Sequence, residues 1–320
     1  MRYTPFPPLD RELSELVFGA LYLSLGDLDA SFAMLDEWSR CGGNVIDSAH
    51  GYGFIHGAPG DAERVLGKWF AERPQERENV VLISKGAHFN QDRNRVTAED
   101  ITSDLRDTLA RIDRPVDLYM LHRDDPTVPV EPVVDVLNEH KRDGLIRAFG
   151  ASNWSTERID QANEYAVGAG LEGFCCSSSQ LSLAAQQEPL YPGSISAGDA
   201  ESRSWHERNQ MPLFAWSAQA GGFFTGAYSP HDRSNQDMVR VYYQDANWER
   251  LRRAKALAAE RGTDANAVAL SWVLHQPFPT FGIIGPQTPA ELQSSLAALD
   301  IVLTRAEQRW LNLESAERDD

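Results

Sequence analysis

The sequence predicts an α/β fold, a parallel (β/α)₈ TIM barrel built as a single domain over 1–320 with long loops at the carboxyl face, on three observations. Eight short apolar runs alternate with longer segments whose apolar residues recur at helical spacing. No G-x-G-x-x-G turn follows the first run, which leaves the doubly wound sheet as the runner-up. No linker divides the chain, and 320 residues, 42% of them hydrophobic, are ample for a sizeable core.

The first run, LVFGALYL at 16–23, leads into LDASFAMLDEWSR, whose apolar spacing predicts a helix over 28–40. NVIDSA at 44–49 and NVVLISK at 79–85 are rich in Val and Ile and read as the second and third strands. AEDITSDLRDTLARI predicts a helix over 98–112, and VDLYMLH at 116–122 is the fourth strand. VEPVVDVLNEHKRDG predicts a helix over 130–144, its terminal glycine acting as a stop signal. LIRAFGASN at 145–153, GFCCSSSQ at 173–180, PLFAWSA at 212–218 and FGIIGP at 281–286 complete the eight. Two segments, 182–208 and 221–245, exceed ordinary connections, and loops of such length in a compact domain are usually functional.

Composition excludes several classes of function. The net charge of -17 comes from acids spread along the chain, without the Lys and Arg patches that a phosphate backbone requires, so no nucleic-acid partner is expected. No apolar run approaches the ~20 residues of a membrane span, and MRYTPFPPLD lacks the features of a signal peptide, so no membrane partner and a cytoplasmic location are expected. Three cysteines, Cys41, Cys175 and Cys176, have no metal-type spacing and read as reduced and structural. Oligomeric state is not legible in the sequence.

Ionisable residues close three successive strands: Asp47 the second, Lys85 the third and His122 the fourth. Alone, each reads as a turn residue, a surface ion pair or a satisfied core histidine. In a barrel these ends are neighbours, so they share a pocket with Tyr52 from the loop after Asp47. A phenol is a poor acid at pH 7, and a lysine ammonium beside it is expected to lower its pKa. Asp47 would hold that ammonium charged, and His122 would hydrogen-bond the same carbonyl oxygen as Tyr52.

With these four residues, ERVLGKW at 63–69, DLYMLHRDDP at 117–126 and GLIRAFGASNW at 144–154, the chain resembles the aldo-keto reductase family over nearly its whole length. The resemblance implies a nicotinamide-dependent oxidoreductase that reduces an aldehyde or ketone, sugar-derived or plain, to an alcohol. Asp47, Tyr52, Lys85 and His122 match the family's catalytic tetrad, with Tyr52 as proton donor. Ser152, Asn153 and Gln180 match the residues that hold the carboxamide, and Trp216 stands where an aromatic, more often tyrosine, stacks on the nicotinamide. Backbone N–H groups of Ser217, Ala218, Gln219, Ala220 and Gly222 would face the pyrophosphate. Beyond Gly285 the family's arginine for the 2′-phosphate of NADPH is replaced by Gln287, followed by Glu291 and Ser295. Glutamine supplies no charge, so NADPH is the family expectation and NADH a serious alternative. Arg233 and Arg240 are the candidates to compensate.

Tyr22, Phe54 and Trp154 are expected to shape the substrate pocket for a small-molecule carbonyl compound. Two other classes compete. One is a nicotinamide-binding regulatory subunit with little turnover, as potassium-channel β subunits of the same superfamily permit. The other is a metal-dependent barrel hydrolase or isomerase, suggested by His50, His56 and His88; their spacing resembles no ligand set, and no metal is expected.

Overall fold

A computed structural model describes residues 1–318. Eight parallel strands close into a barrel: β3 (Leu16–Gly19), β4 (Val45–Asp47), β5 (Val81–Gly86), β6 (Val116–Leu121), β7 (Ile146–Ser152), β8 (Ser177–Ser178), β9 (Leu213–Ala215) and β10 (Thr280–Ile284), with β10 pairing back to β3. Each falls on one of the eight apolar runs, β5 and β10 overrunning theirs by one residue, and the runs read as continuous rather than alternating because helices cover the outer face of a parallel sheet. The register sets neighbouring ends side by side: Gly19 opposite Asp47, Asp47 opposite Ile83, and Lys85 opposite Met120.

Two strands ahead of the barrel, β1 (Tyr3–Phe6) and β2 (Arg11–Ser14), form an antiparallel hairpin that the sequence reading did not anticipate. Its Phe6, Leu9 and Leu13 are buried with the barrel interior, against Val45, Val81, Phe214 and Phe281. Arg11 donates to the carbonyls of Glu78 and Asn79, and Asn44 accepts from the Ser14 amide, so the hairpin plugs the end opposite the site. Phe6 stands edge-on to Phe214 and Phe281, the three rings filling that end.

The surrounding helices are α1 (Leu28–Arg40), α2 (Asp61–Glu72), α3 (Pro74–Asn79), α4 (Ala98–Ile112), α5 (Val130–Arg142), α6 (Thr156–Ala169), α7 (Ala200–Asn209), α8 (Gln236–Tyr242), α9 (Asp245–Arg261), α10 (Ala265–Leu274), α11 (Pro289–Leu296) and α12 (Arg305–Leu311). α1 and α4 match their predicted spans, and α5 ends at Arg142 with Gly144 in the left-handed conformation just beyond. Side chains start several of them: Thr97, Ser155 and Asp199 each accept from a first-turn amide, and Thr304 forms a capping box with Glu307. The two long segments are not loops throughout. α7 lies in the first and α8 in the second; α7 buries only Trp205 and His206, too little apolar surface to show a helical stripe.

Candidate active site

The strands' carboxyl ends bring three of the four catalytic candidates into contact. Lys85 Nζ donates to Asp47 Oδ1 at 2.5 Å, to the Ser48 carbonyl at 3.1 Å and to Tyr52 Oη at 3.4 Å. The His122 ring stands edge-on to Tyr52, centroids 5.9 Å apart, so the fourth candidate joins the group without a direct hydrogen bond to it. Asp47 and Lys85 are almost completely buried, and Tyr52 is carried by a turn in which its amide donates to the Ala49 carbonyl. Ser48, which the sequence reading passed over, contributes only a backbone oxygen and so leaves no side-chain signal.

Burial alone would discharge Lys85, but Asp47 and Tyr52 outweigh it and hold the ammonium above its ordinary value. Burial also pushes the Tyr52 phenol up, and the opposing pull of Lys85 does not cancel it. The lowering expected from the sequence is therefore corrected: with Lys85 partly neutralised by Asp47, desolvation wins, and Tyr52 is a neutral donor at pH 7. Burial, with Lys85, Arg123 and His88 nearby, pushes His122 well below the usual imidazole range. His122 is therefore neutral, and its Nδ1 is buried without a hydrogen-bond partner among the described residues.

Beside this group lie the residues proposed to hold the nicotinamide. Ser152 Oγ donates to the Ser178 carbonyl at 2.8 Å, and Asn153 Nδ2 donates to the His122 carbonyl at 3.1 Å. Gln180 pairs with Trp216 in an isolated parallel bridge, and its amide bonds Ser182 and Ser196. The indole Nε1 of Trp216 is buried without a partner among the described residues, and its ring lies 6.1 Å from that of Tyr191. Further on, Ser217, Ala220, Gly221 and Gly222 all have positive φ, at 52°, 50°, 60° and 80°. Within this turn the Ala220 amide donates to the Ser217 carbonyl at 2.9 Å and the Gly222 amide to the Gln219 carbonyl at 3.0 Å, so of the predicted pyrophosphate contacts these two are engaged and the amides of Ser217, Ala218 and Gln219 are left to line an anion-binding concavity. Gln219 Nε2 reaches Ser295 Oγ at 3.1 Å and ties this segment to α11, while Gly285 packs on Tyr22. The backbone concavity and the unpartnered Trp216 indole fit a dinucleotide.

The start of α11 fits a 2′-phosphate poorly. Glu291 accepts from the Gln287 amide at 2.7 Å and so occupies the amide an anion would use. Arg240 is spent on Asp237, Glu188 and the carbonyls of Pro189 and Leu190. Arg233 instead lines a surface hollow of about 550 Å³ beside Tyr243 and Trp248.

The predicted pocket wall needs one correction. Trp154 is 1% exposed, donates its indole N–H to the Arg123 carbonyl at 3.0 Å and packs edge-on to Phe174, so it supports the site from behind. Tyr22 faces His56, ring centroids 6.1 Å apart, and Phe54 is 59% exposed on the turn after Tyr52. His50 bonds Asp107 at 3.1 Å, whereas His88 lies against Phe89 and His122. Among the described residues no group of three or more His, Cys, Asp and Glu is placed to hold a metal ion, and no helix is long and apolar enough to cross a membrane. Arg123, buried next to His122, is a residue beside the candidate site that sequence reasoning missed, since an arginine followed by two acids in LHRDD gives no signal of burial.

A sequence model of the Aldo/keto reductase family matches residues 15–312. The chain is 27% identical to the uncharacterized oxidoreductase YrpG of Bacillus subtilis, with 98% of this chain and 95% of that one covered. It is also 27% identical to an NADH-specific methylglyoxal reductase of Escherichia coli, with 96% of each covered. The crystal structure of the thermostable aldo-keto reductase Tm1743, determined with the inhibitor epalrestat, superposes with a TM-score of 0.74 at 20% identity, covering 98% of this chain and 100% of that one.

Proposed function

Because the chain belongs to the aldo/keto reductase family, we propose that it reduces an aldehyde or ketone to an alcohol with a nicotinamide cofactor, and that it prefers NADH to NADPH. The observation that carries the activity is the buried array in which Lys85 contacts both Asp47 and Tyr52, with neutral His122 alongside.

A bound dihydronicotinamide supplies the hydride. The chain's own residues bind, orient and protonate. Tyr52 donates its proton to the oxygen of the carbonyl as that oxygen gains negative charge, and the Lys85 ammonium stabilises the phenolate left behind. Asp47 keeps Lys85 charged through that step, and His122, uncharged, orients the carbonyl by a hydrogen bond. Ser152, Asn153 and Gln180 would hold the carboxamide of the bound cofactor, Trp216 would support its ring, and the amides at 217–219 would take its pyrophosphate. The Glu291 carboxylate on the Gln287 amide supports NADH, since a dianionic phosphate there would meet a negative charge and no guanidinium. The NADH-specific relative from Escherichia coli is consistent with that preference.

Tryptophan fluorescence titrated with NADH and, separately, NADPH tests this reading. Saturable quenching through Trp216 is expected, with NADH bound about tenfold or more tightly, roughly the difference of one charge-assisted hydrogen bond. Tighter binding of NADPH would overturn the preference. Quenching without turnover over a broad panel of aldehydes would replace the reductase by a nicotinamide-binding regulatory subunit.

A further inference from the structure

Arg123 is 7% exposed and stands immediately after His122 at the end of β6. Its Nε donates to the Pro192 carbonyl at 3.2 Å and its Nη1 to the His122 carbonyl at 2.8 Å, both neutral acceptors. No carboxylate pairs with it among the described residues; burial pushes its guanidinium below the ordinary value, and the phenols of Tyr52 and Tyr191 oppose that only in part. The nearby acids are engaged elsewhere. Asp124 pairs with Arg158 at 3.1 Å, and Asp125 accepts from Thr127 at 2.7 Å. Lys85, the other cation of the site, is matched by Asp47, so Arg123 leaves the site with an uncompensated positive charge in a chain of net charge -17.

A buried guanidinium without a counter-ion is costly, and a planar fork of five N–H donors with two spent on carbonyls retains donors suited to a carboxylate. The segments assigned to the cofactor's phosphates follow β9 and β10, across the barrel from Arg123. In the closed strand order, β6 is diametrically opposite β10, beyond which Gly285 and Gln287 lie. Arg123 is instead held between the His122 carbonyl and the Pro192 carbonyl of the first long segment, with the Phe89 ring centroid 6.0 Å from its Cζ.

We propose that Arg123 recognises an anionic group on the substrate, and that the carbonyl compound reduced here carries a carboxylate. This rests on the reductase reading above. The aromatic ring of Phe89 lies against the guanidinium, so the acid would be held beside an apolar surface, with the reacting carbonyl toward Tyr52.

The test compares 4-carboxybenzaldehyde with its neutral counterpart 4-formylbenzamide as substrates for the wild-type enzyme, Arg123→Gln and Arg123→Lys, with NADH affinity measured for each. The acid-to-amide ratio of kcat/KM should be about ten to a hundred in the wild type, near one in Arg123→Gln and intermediate in Arg123→Lys. A wild-type ratio near one, or a ratio unchanged in Arg123→Gln, overturns the assignment while leaving the reductase intact. A fall in NADH affinity that matches the loss of turnover would give Arg123 to the cofactor and also overturn it. If the wild type turns over neither aldehyde, calorimetric binding decides: acid bound over amide only when Arg123 is present upholds the anion site, and equal binding overturns it, while the reductase reading is judged by the broad aldehyde panel.

Discussion

Tyr52 shows how one side chain's environment decides its role. Burial holds its phenol above the ordinary value of 10.0, against the pull of Lys85, and burial with nearby cations holds His122 below 6.5. A group with a raised pKa keeps its proton throughout the range below it, and an imidazole with a depressed pKa stays neutral above it. Reduction should therefore be level in kcat/KM between those two values and decline on the alkaline side, where Tyr52 begins to lose the proton it must donate. A pH–rate profile measured across that range checks this; an inflection near neutral pH would show that one of the two groups titrates normally. The tetrad candidates were legible because each of Asp47, Lys85 and His122 ends an apolar run, where a charged or titratable group has no packing reason to be. Arg123 was not legible, because an arginine followed by two acids reads as a surface ion pair, and only the structure shows those acids turned to other partners.

Among the elements, the packing of α2 and α4 against β5 depends on Glu63. This carboxylate is 0% exposed and accepts from Ser84 Oγ at 2.7 Å, Thr108 Oγ1 at 2.8 Å and Arg111 at 2.9 Å. It joins both helices to β5, the strand that carries Lys85. Removing it leaves the Arg111 guanidinium and two hydroxyls without their acceptor, so Glu63→Ala should cost about 3–5 kcal/mol in chemical denaturation. A loss under about 1 kcal/mol would mean that water replaces the carboxylate. Strands and amphipathic helices were readable from periodicity, and α1 and α4 coincide with their predicted spans. The N-terminal hairpin was not, because its strands are four residues each, the first contains Pro5, and Pro7 and Pro8 follow in the turn between them. The same limit hid the depth of Trp154, since a tryptophan after a strand reads equally well as pocket wall or as core.

In the whole molecule, closure of the barrel gives residues distant in sequence a common site. Parallel register places the ends of β4, β5 and β6 side by side, the hairpin fills the opposite end, and the segments proposed to hold the cofactor gather beyond β7 to β10. Asp47, Lys85 and His122 therefore meet Tyr52 without any local motif to announce it. The claim that this assembly is a proton-donating reductase site is tested most directly by comparing Tyr52→Phe with the wild type, using NADH oxidation as the readout and NADH affinity as the control. Loss of the general acid should lower turnover by about 10²–10⁴-fold while NADH affinity stays within a few-fold. Turnover near the wild-type rate in Tyr52→Phe would contradict the assignment of Tyr52 as proton donor.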